Sequence, residues 1–411
     1  MTATTIEVRP VGAEELPIWA ALNHRGFLST TRPSEARLKH YQRQSAEYRF
    51  WLAYSGSTPC GAYRSWDLEL PVPGAAAVPT RAIGSLSVLA THRRRGVASS
   101  FVRGALSGAR ERGAALSLLI PSESGIYGRF GFGAATETTH LAVDTRRITL
   151  PPAEGLELEL TDDAAVRAVA PALYREVAAG MPGALPRTDL WWDDVCGLHA
   201  DEDDDDDRPA VIARDQSGAV VGTASYRIKG DWSLDHQADI ELQDLTAANP
   251  AAYTALWRFL ADLDLTDRVL AEDRPVHEPL AWMLPDRRAI TESHRTDFQW
   301  VRVLDVVAAL SARAAQGPGR VVVEVADADG YANGRWLVDA DEDGRTQVTA
   351  TEVEAEVTLP VQTLGSLYLG QNSLVRLHGA GRADEHRAGA VRRLDRMLAW
   401  APEAAVGHTW F

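Results

Sequence analysis

At 411 residues and 44.7 kDa the chain exceeds what one hydrophobic core usually serves, so several domains are expected. Hydrophobic residues make up 45% and charged residues 24%, which excludes overall disorder. A formal charge of −15 argues against a nucleic-acid partner, because phosphate binding needs a basic footprint, and suits a cationic ligand better.

Residues 1–148 alternate strand-like and helix-like stretches in an α/β manner. Residues 14–22 and 34–44 read as helices, the second following Pro33 with Ser34 as its N-cap. Strands are expected over 50–54 and 60–70, flanking Ser55-Gly56-Ser57. Pro71, Pro73, Gly74 and Pro79 mark a loop, and 83–89 follows as a strand in which Leu86 and Val88 share one face. Beyond His92-Arg93-Arg94-Arg95-Gly96, the apolar residues Val97, Phe101, Val102, Ala105, Leu106 and Ala109 recur at helical spacing, with Gly113 ending the helix. Residues 116–120 read as a buried strand ending at Pro121.

Residues 149–295 repeat the same alternation, with a helix over 163–179, strands over 210–214, 219–227 and 238–242, then an amphipathic helix over 250–263. No Arg/Gln-x-x-Gly joins this last strand to its helix, so the segment reads as a degenerate second copy that has lost an anion loop. The acidic run at 201–207 lacks the spaced oxygens and pivot glycine of a calcium loop and reads as a solvated surface loop. Residues 296–411 suggest an α+β module, with a helix over 303–314, strands over 320–325, 334–339, 347–351 and 355–360, and helices over 361–369 and 384–400.

Cys60 and Cys196 lie far apart with no paired cysteines or histidines beside them, so buried thiols are expected, with no disulfide framework and no metal. No signal-like N-terminus and no long uninterrupted apolar run is present, so membrane insertion is not expected and a cytoplasmic location follows.

A strand, a short glycine-containing loop and a helix together make an anion site, because free backbone N–H groups and the helix dipole point at one spot. The pattern Arg/Gln-x-x-Gly-x-Gly/Ala occurs three times. Arg93-Arg94-Arg95-Gly96-Val97-Ala98 follows a strand and opens a helix. Arg110-Glu111-Arg112-Gly113-Ala114-Ala115 falls at a helix C-terminus, where the dipole repels anions. Arg376-Leu377-His378-Gly379-Ala380-Gly381 remains a rival, with a strand expected before it and a helix after it.

The first match is set apart by Ser122-Glu123-Ser124-Gly125-Ile126-Tyr127-Gly128-Arg129-Phe130-Gly131-Phe132, directly after the next strand. The run Thr91-His92-Arg93-Arg94-Arg95-Gly96, followed by Ile126-Tyr127-Gly128-Arg129-Phe130-Gly131-Phe132, resembles the Eis family within the GCN5-related (GNAT) acetyltransferases. The resemblance implies two GNAT-like α/β domains in tandem, 1–148 and 149–295, then a sterol-carrier-protein-like α+β domain, 296–411. It implies N-acetyltransfer from acetyl-CoA to a cationic amine: an aminoglycoside, a polyamine or a lysine side chain. Acetyl-CoA would be held by Leu86, Ser87 and Val88, by Arg94, Arg95, Gly96, Val97, Ala98 and Ser99, and by Ser122 and Glu123. Tyr127 would be the general acid, and the C-terminal carboxylate of Phe411 the general base. Family members are hexamers, so a homo-hexamer is expected. Trp410, where aminoglycoside-acetylating members tend to carry an acidic residue, leaves the acceptor open. The competing reading is a CoA- and lipid-binding protein without turnover, which uses the sterol-carrier-like module.

Overall fold

In the computed structural model, which describes residues 6–152, 154–197, 208–230 and 237–400, the alternation of the first segment forms a seven-stranded sheet. Its leading strands are β1 (Ile6–Pro10), β2 (Arg49–Ser55), β3 (Thr58–Val72), β4 (Ala76–Val88) and β5 (Leu116–Leu119), lying side by side in that order. Between β1 and β2 run α1 (Leu16–Gly26) and α2 (Glu35–Gln44); the Ser34 side chain accepts from Arg37 N at 3.1 Å, as its N-cap position predicts. Pro71 and Pro79, expected in a loop, instead sit inside a long hairpin, paired with Ala77 and Glu69. The turn is confined to the region of Gly74 and Ala75, whose φ values of 94° and 61° suit a tight hairpin.

The helix α3 (Val97–Glu111) buries Val97, Phe101, Val102, Ala105, Leu106 and Ala109, the stripe its spacing predicts. It packs them with Tyr63, Ile83, Phe130, Phe132 and Leu304. After β5 come a short helix, α4 (Ser124–Tyr127), a single turn over Gly128–Phe130 and the two-residue strand β6 (Gly133–Ala134).

The described residues form two compact units, one of the chain up to Thr136 and from Phe298, the other of Glu137–Asp297. In the first unit the strand Trp300–Val303 lies between β5 and β6, although the sequence reads as helix from 303. Four residues are too few to show a strand period, and their partners are remote in sequence. Sheet membership therefore does not follow the boundaries drawn at 148 and 295, since Glu137–Asp144 belongs to the second sheet. The first unit also holds a five-stranded sheet in the order Thr346–Ala350, Gly334–Ala340, Gly319–Ala326, Val357–Pro360 and Asp384–Glu385. Helices Val306–Ala312, Val361–Leu367 and Ala390–Leu398 close its core.

The second unit has its own seven-stranded sheet, whose interior gathers Leu141, Val211, Ile240, Leu256, Trp257 and Val269. It contains the expected helices as Asp163–Ala178 and Pro250–Ala261. Among the described residues no helix is long and apolar enough to cross a membrane. Cys60 and Cys196 are both free and buried.

Candidate active site

The site begins where two parallel strands part. Thr80, Arg81 and Ala82 of β4 pair with Leu116, Ser117 and Leu118 of β5, and from Ile83 onward β4 has no ladder partner on that side among the described residues. Opposite Tyr63 of β3 the register slips, leaving Ser85 and Leu86 against one residue. Ser85 takes φ 52°, and its carbonyl accepts from Asn23 Nδ2 of α1 at 2.7 Å.

A cavity of about 730 Å³ opens there. Leu86, Ser87 and Val88 line one wall, and Arg94, Gly96, Val97, Ala98 and Ser99 line the next. Ser122, Glu123 and Tyr127 line a third. Of the residues expected to hold the cosubstrate, Arg95 alone is not in the wall; it is exposed on the same loop. Phe411 lies outside the described residues. The sequence reading missed Gly26, Phe27 and Leu28 at the end of α1; His92, Arg93, Ile126 and Arg129, which it placed in the motifs but not among the cosubstrate-binding residues, also line the cavity. Arg129 was legible as a basic residue beside Tyr127, whereas nothing in the periodicity of α1 marks Phe27 and Leu28.

The chemistry of the walls suits a long anion that carries a reactive end. Gly96 is the N-cap of α3, at φ 85°, and no side chain caps the helix. The first turn of α3, Val97 to Ser99, lines the cavity, where the helix dipole adds positive potential. Arg94, itself at φ 62°, and Arg93 supply full positive charges beside it. The Ser87 hydroxyl is buried without a hydrogen-bond partner among the described residues. Tyr127 is buried in the core cluster yet reaches the cavity. Burial, and secondarily the charge of Glu123, push its phenol up to about 12, so it keeps its proton at neutral pH.

The rival loop does not compete. Arg376 through Gly379 lie within the helix Leu374–Gly379, so Arg376-Leu377-His378-Gly379 ends a helix instead of opening one. The dipole there repels anions. Among the described residues no group of three or more His, Cys, Asp or Glu side chains is arranged to hold a metal ion.

A split parallel pair, a bulged strand and an uncapped helix N-terminus fit the GNAT class of acyl-CoA-dependent acyltransferases, and comparison with known proteins assigns the chain to it. Residues 7–135 and 183–303 match models of the acetyltransferase (GNAT) domain, and residues 306–406 match a sterol carrier protein domain. An uncharacterized N-acetyltransferase of Streptomyces avermitilis is 34% identical over 411 residues, covering 97% of this chain and 98% of its own. N-acetyltransferase Eis of Mycobacterium tuberculosis is 32% identical over 355 residues, covering 84% of each chain. The crystal structure of Eis1 from Mycobacterium abscessus aligns with TM-score 0.85 and 29% identity over 99% of this chain and 100% of that one. The chain belongs to the Eis-type N-acetyltransferases of the GNAT superfamily: two tandem GNAT domains followed by a sterol-carrier-like domain, with acetyl-CoA as cosubstrate.

Proposed function

We propose that the chain transfers acetyl directly from acetyl-CoA to a primary amine in the cavity beside Tyr127. The observation that carries this reading is the convergence of the strand gap, the uncapped start of α3 and a buried, protonated tyrosine on one cavity. Leu86, Ser87 and Val88 would meet the thioester and pantetheine arm. Arg94, Arg95 and the turn from Gly96 to Ser99 would cradle the pyrophosphate, with Ser122 and Glu123 on the far side.

The amine lone pair attacks the thioester carbon, a C–N bond forms and the C–S bond breaks. The proton shed by the amine goes to the C-terminal carboxylate of Phe411. The Tyr127 phenol gives its proton to the departing sulfur and is reprotonated from solvent. A phenol near 12 is a weak acid beside an ordinary thiol at about 8.5, but a thiolate forming beside the buried phenol is destabilised too, which narrows that gap.

The binding-only reading draws little support from the third domain. Its apolar interior, bounded by Val323, Trp336, Leu364 and Leu394 among others, encloses about 10 Å³. That is barely the space of one water, whereas a ligand pocket holds on the order of 300 Å³ or more. Acceptors compatible with the acidic chain are polyamines, aminoglycosides and lysine side chains, and the working form is proposed to be a cytoplasmic homo-hexamer.

The test is release of CoA from acetyl-CoA with a panel of polyamines, aminoglycosides and lysine peptides, with the acetylated amine identified by mass. At least one class should raise release well above hydrolysis. Binding of acetyl-CoA without acceleration by any of them would overturn the reading.

A further inference from the structure

The segment that carries Tyr127 is short and irregular: one turn of helix, one turn over Gly128–Phe130, then two residues of strand. Such a segment has few hydrogen bonds of its own, so side chains from elsewhere must fix it. Three do. Gln362 Nε2, on the helix Val361–Leu367, donates to Gly128 O at 2.7 Å. Arg302 Nε, on the strand Trp300–Val303, donates to Phe130 O at 2.8 Å. Asn372 Nδ2 donates to Ala134 O at 3.0 Å.

The contacts reach back into the third domain. Arg302 is fully buried, and its Nη2 donates to both oxygens of Asp327, at 2.7 and 2.8 Å. Asp327 is in turn held by the backbone N–H of Ala332 at 2.8 Å. Backbone approach is equally close: a Cβ added at Gly133 would lie 1.8 Å from Gln362 O, so glycine is required for this contact.

We propose that the sterol-carrier-like module positions the proton donor, with Gln362 and the Arg302–Asp327 pair acting as positioning residues that clamp the carbonyls just after Tyr127. This rests on the reading of Tyr127 as general acid. The clamp orients the phenol O–H toward the sulfur as the C–S bond breaks, and it touches neither substrate. It gives the third domain a task in catalysis that needs no lipid.

The test is a double-variant cycle in the full-length protein. Gln362→Met keeps the side-chain volume and removes the donor. It should lower kcat about 10-fold, in the range of lost outer-shell support, while acetyl-CoA affinity stays within about 3-fold. In a Tyr127→Phe background the same substitution should cost less than about 2-fold, because no proton remains to be aimed. A merely structural residue would cost the same in both backgrounds, so equal loss overturns the proposal, as does a wild-type kcat for Gln362→Met. If Tyr127→Phe itself keeps the wild-type kcat, the general-acid reading fails and this inference fails with it. Should Gln362→Met not fold, Gln362→Ala takes its place in the cycle.

Discussion

Gly96 stands in open space at φ 85°, so no neighbour forbids a side chain there; the backbone and the expected pyrophosphate do. Glutamate at that position would add strain of order 1–3 kcal/mol and place like charge against an anion. Gly96→Glu should therefore abolish acetyl-CoA binding. Gly379, also in open space but at a helix end, should tolerate glutamate with affinity within a few-fold. Isothermal titration of both variants checks this, and equal losses would mean that the cosubstrate lies elsewhere. The phenol of Tyr127 predicts a pH profile. Because its pKa is raised, it stays protonated as pH climbs past the ordinary tyrosine value, so kcat should not fall on its account below about pH 11. A descending limb near pH 10 that vanishes in Tyr127→Phe would contradict a buried donor. At this scale the loop 93–96 stood out by its place between a strand and a helix, and Tyr127 only through the motif around it that resembles the family. Phe27 and Leu28 were not, since they follow a helix end and belong to no apolar period.

Two helices show why one GNAT copy is read as binding acetyl-CoA and the other is not. α3 opens on a left-handed glycine with its first N–H groups free of any side-chain cap. The helix Pro250–Ala261 opens on Asn249, whose side chain accepts from Ala252 N at 2.9 Å, with Pro250 behind it. That N-terminus is already satisfied. In the same unit the strands Ala238–Ala247 and Thr266–Pro275 also run parallel and pair last at Leu242 and Ala271. Just beyond, charged side chains are buried: Asp244 takes a bidentate contact from Arg187, at 2.8 and 3.1 Å, and Arg274 pairs with Glu278 at 3.0 Å. Arg187 also lies over the rings of Tyr174 and Trp191. Arg187→Met should leave Asp244 without its bidentate partner and cost about 3–5 kcal/mol of that unit's stability, read by denaturant unfolding. A loss below about 1 kcal/mol would show the pair to be dispensable. Acetyl-CoA should titrate at one per chain; two per chain would contradict the idle second copy. The missing loop was legible in the sequence, but the ion cluster was not, because its members are scattered over the segment.

Over the whole chain, the order of the modules was legible, because each carries its own run of strand and helix periods. The allocation of strands to sheets was not. Trp300–Val303 completes the first sheet, and Glu137–Asp144 lies in the second, pairings that depend on partners distant in the chain and not on local pattern. The proposed role of the Phe411 carboxylate leads to a further prediction. Two glycines appended after Phe411 keep both terminal rings and move only the carboxylate, so kcat should fall about 10²-fold or more with acetyl-CoA binding retained. Turnover at the native rate would remove Phe411 from the mechanism and make Glu123, which lines the cavity, the next candidate base. Sedimentation should give a hexamer; a stable monomer at micromolar concentration would contradict it. The most direct single measurement is kcat for amine acetylation by Tyr127→Phe beside the unmodified protein, with acetyl-CoA affinity measured on the same preparations. Expected is a fall of roughly 10²–10⁴ in kcat with affinity retained, and an unchanged kcat would contradict the assignment of Tyr127 as the proton donor.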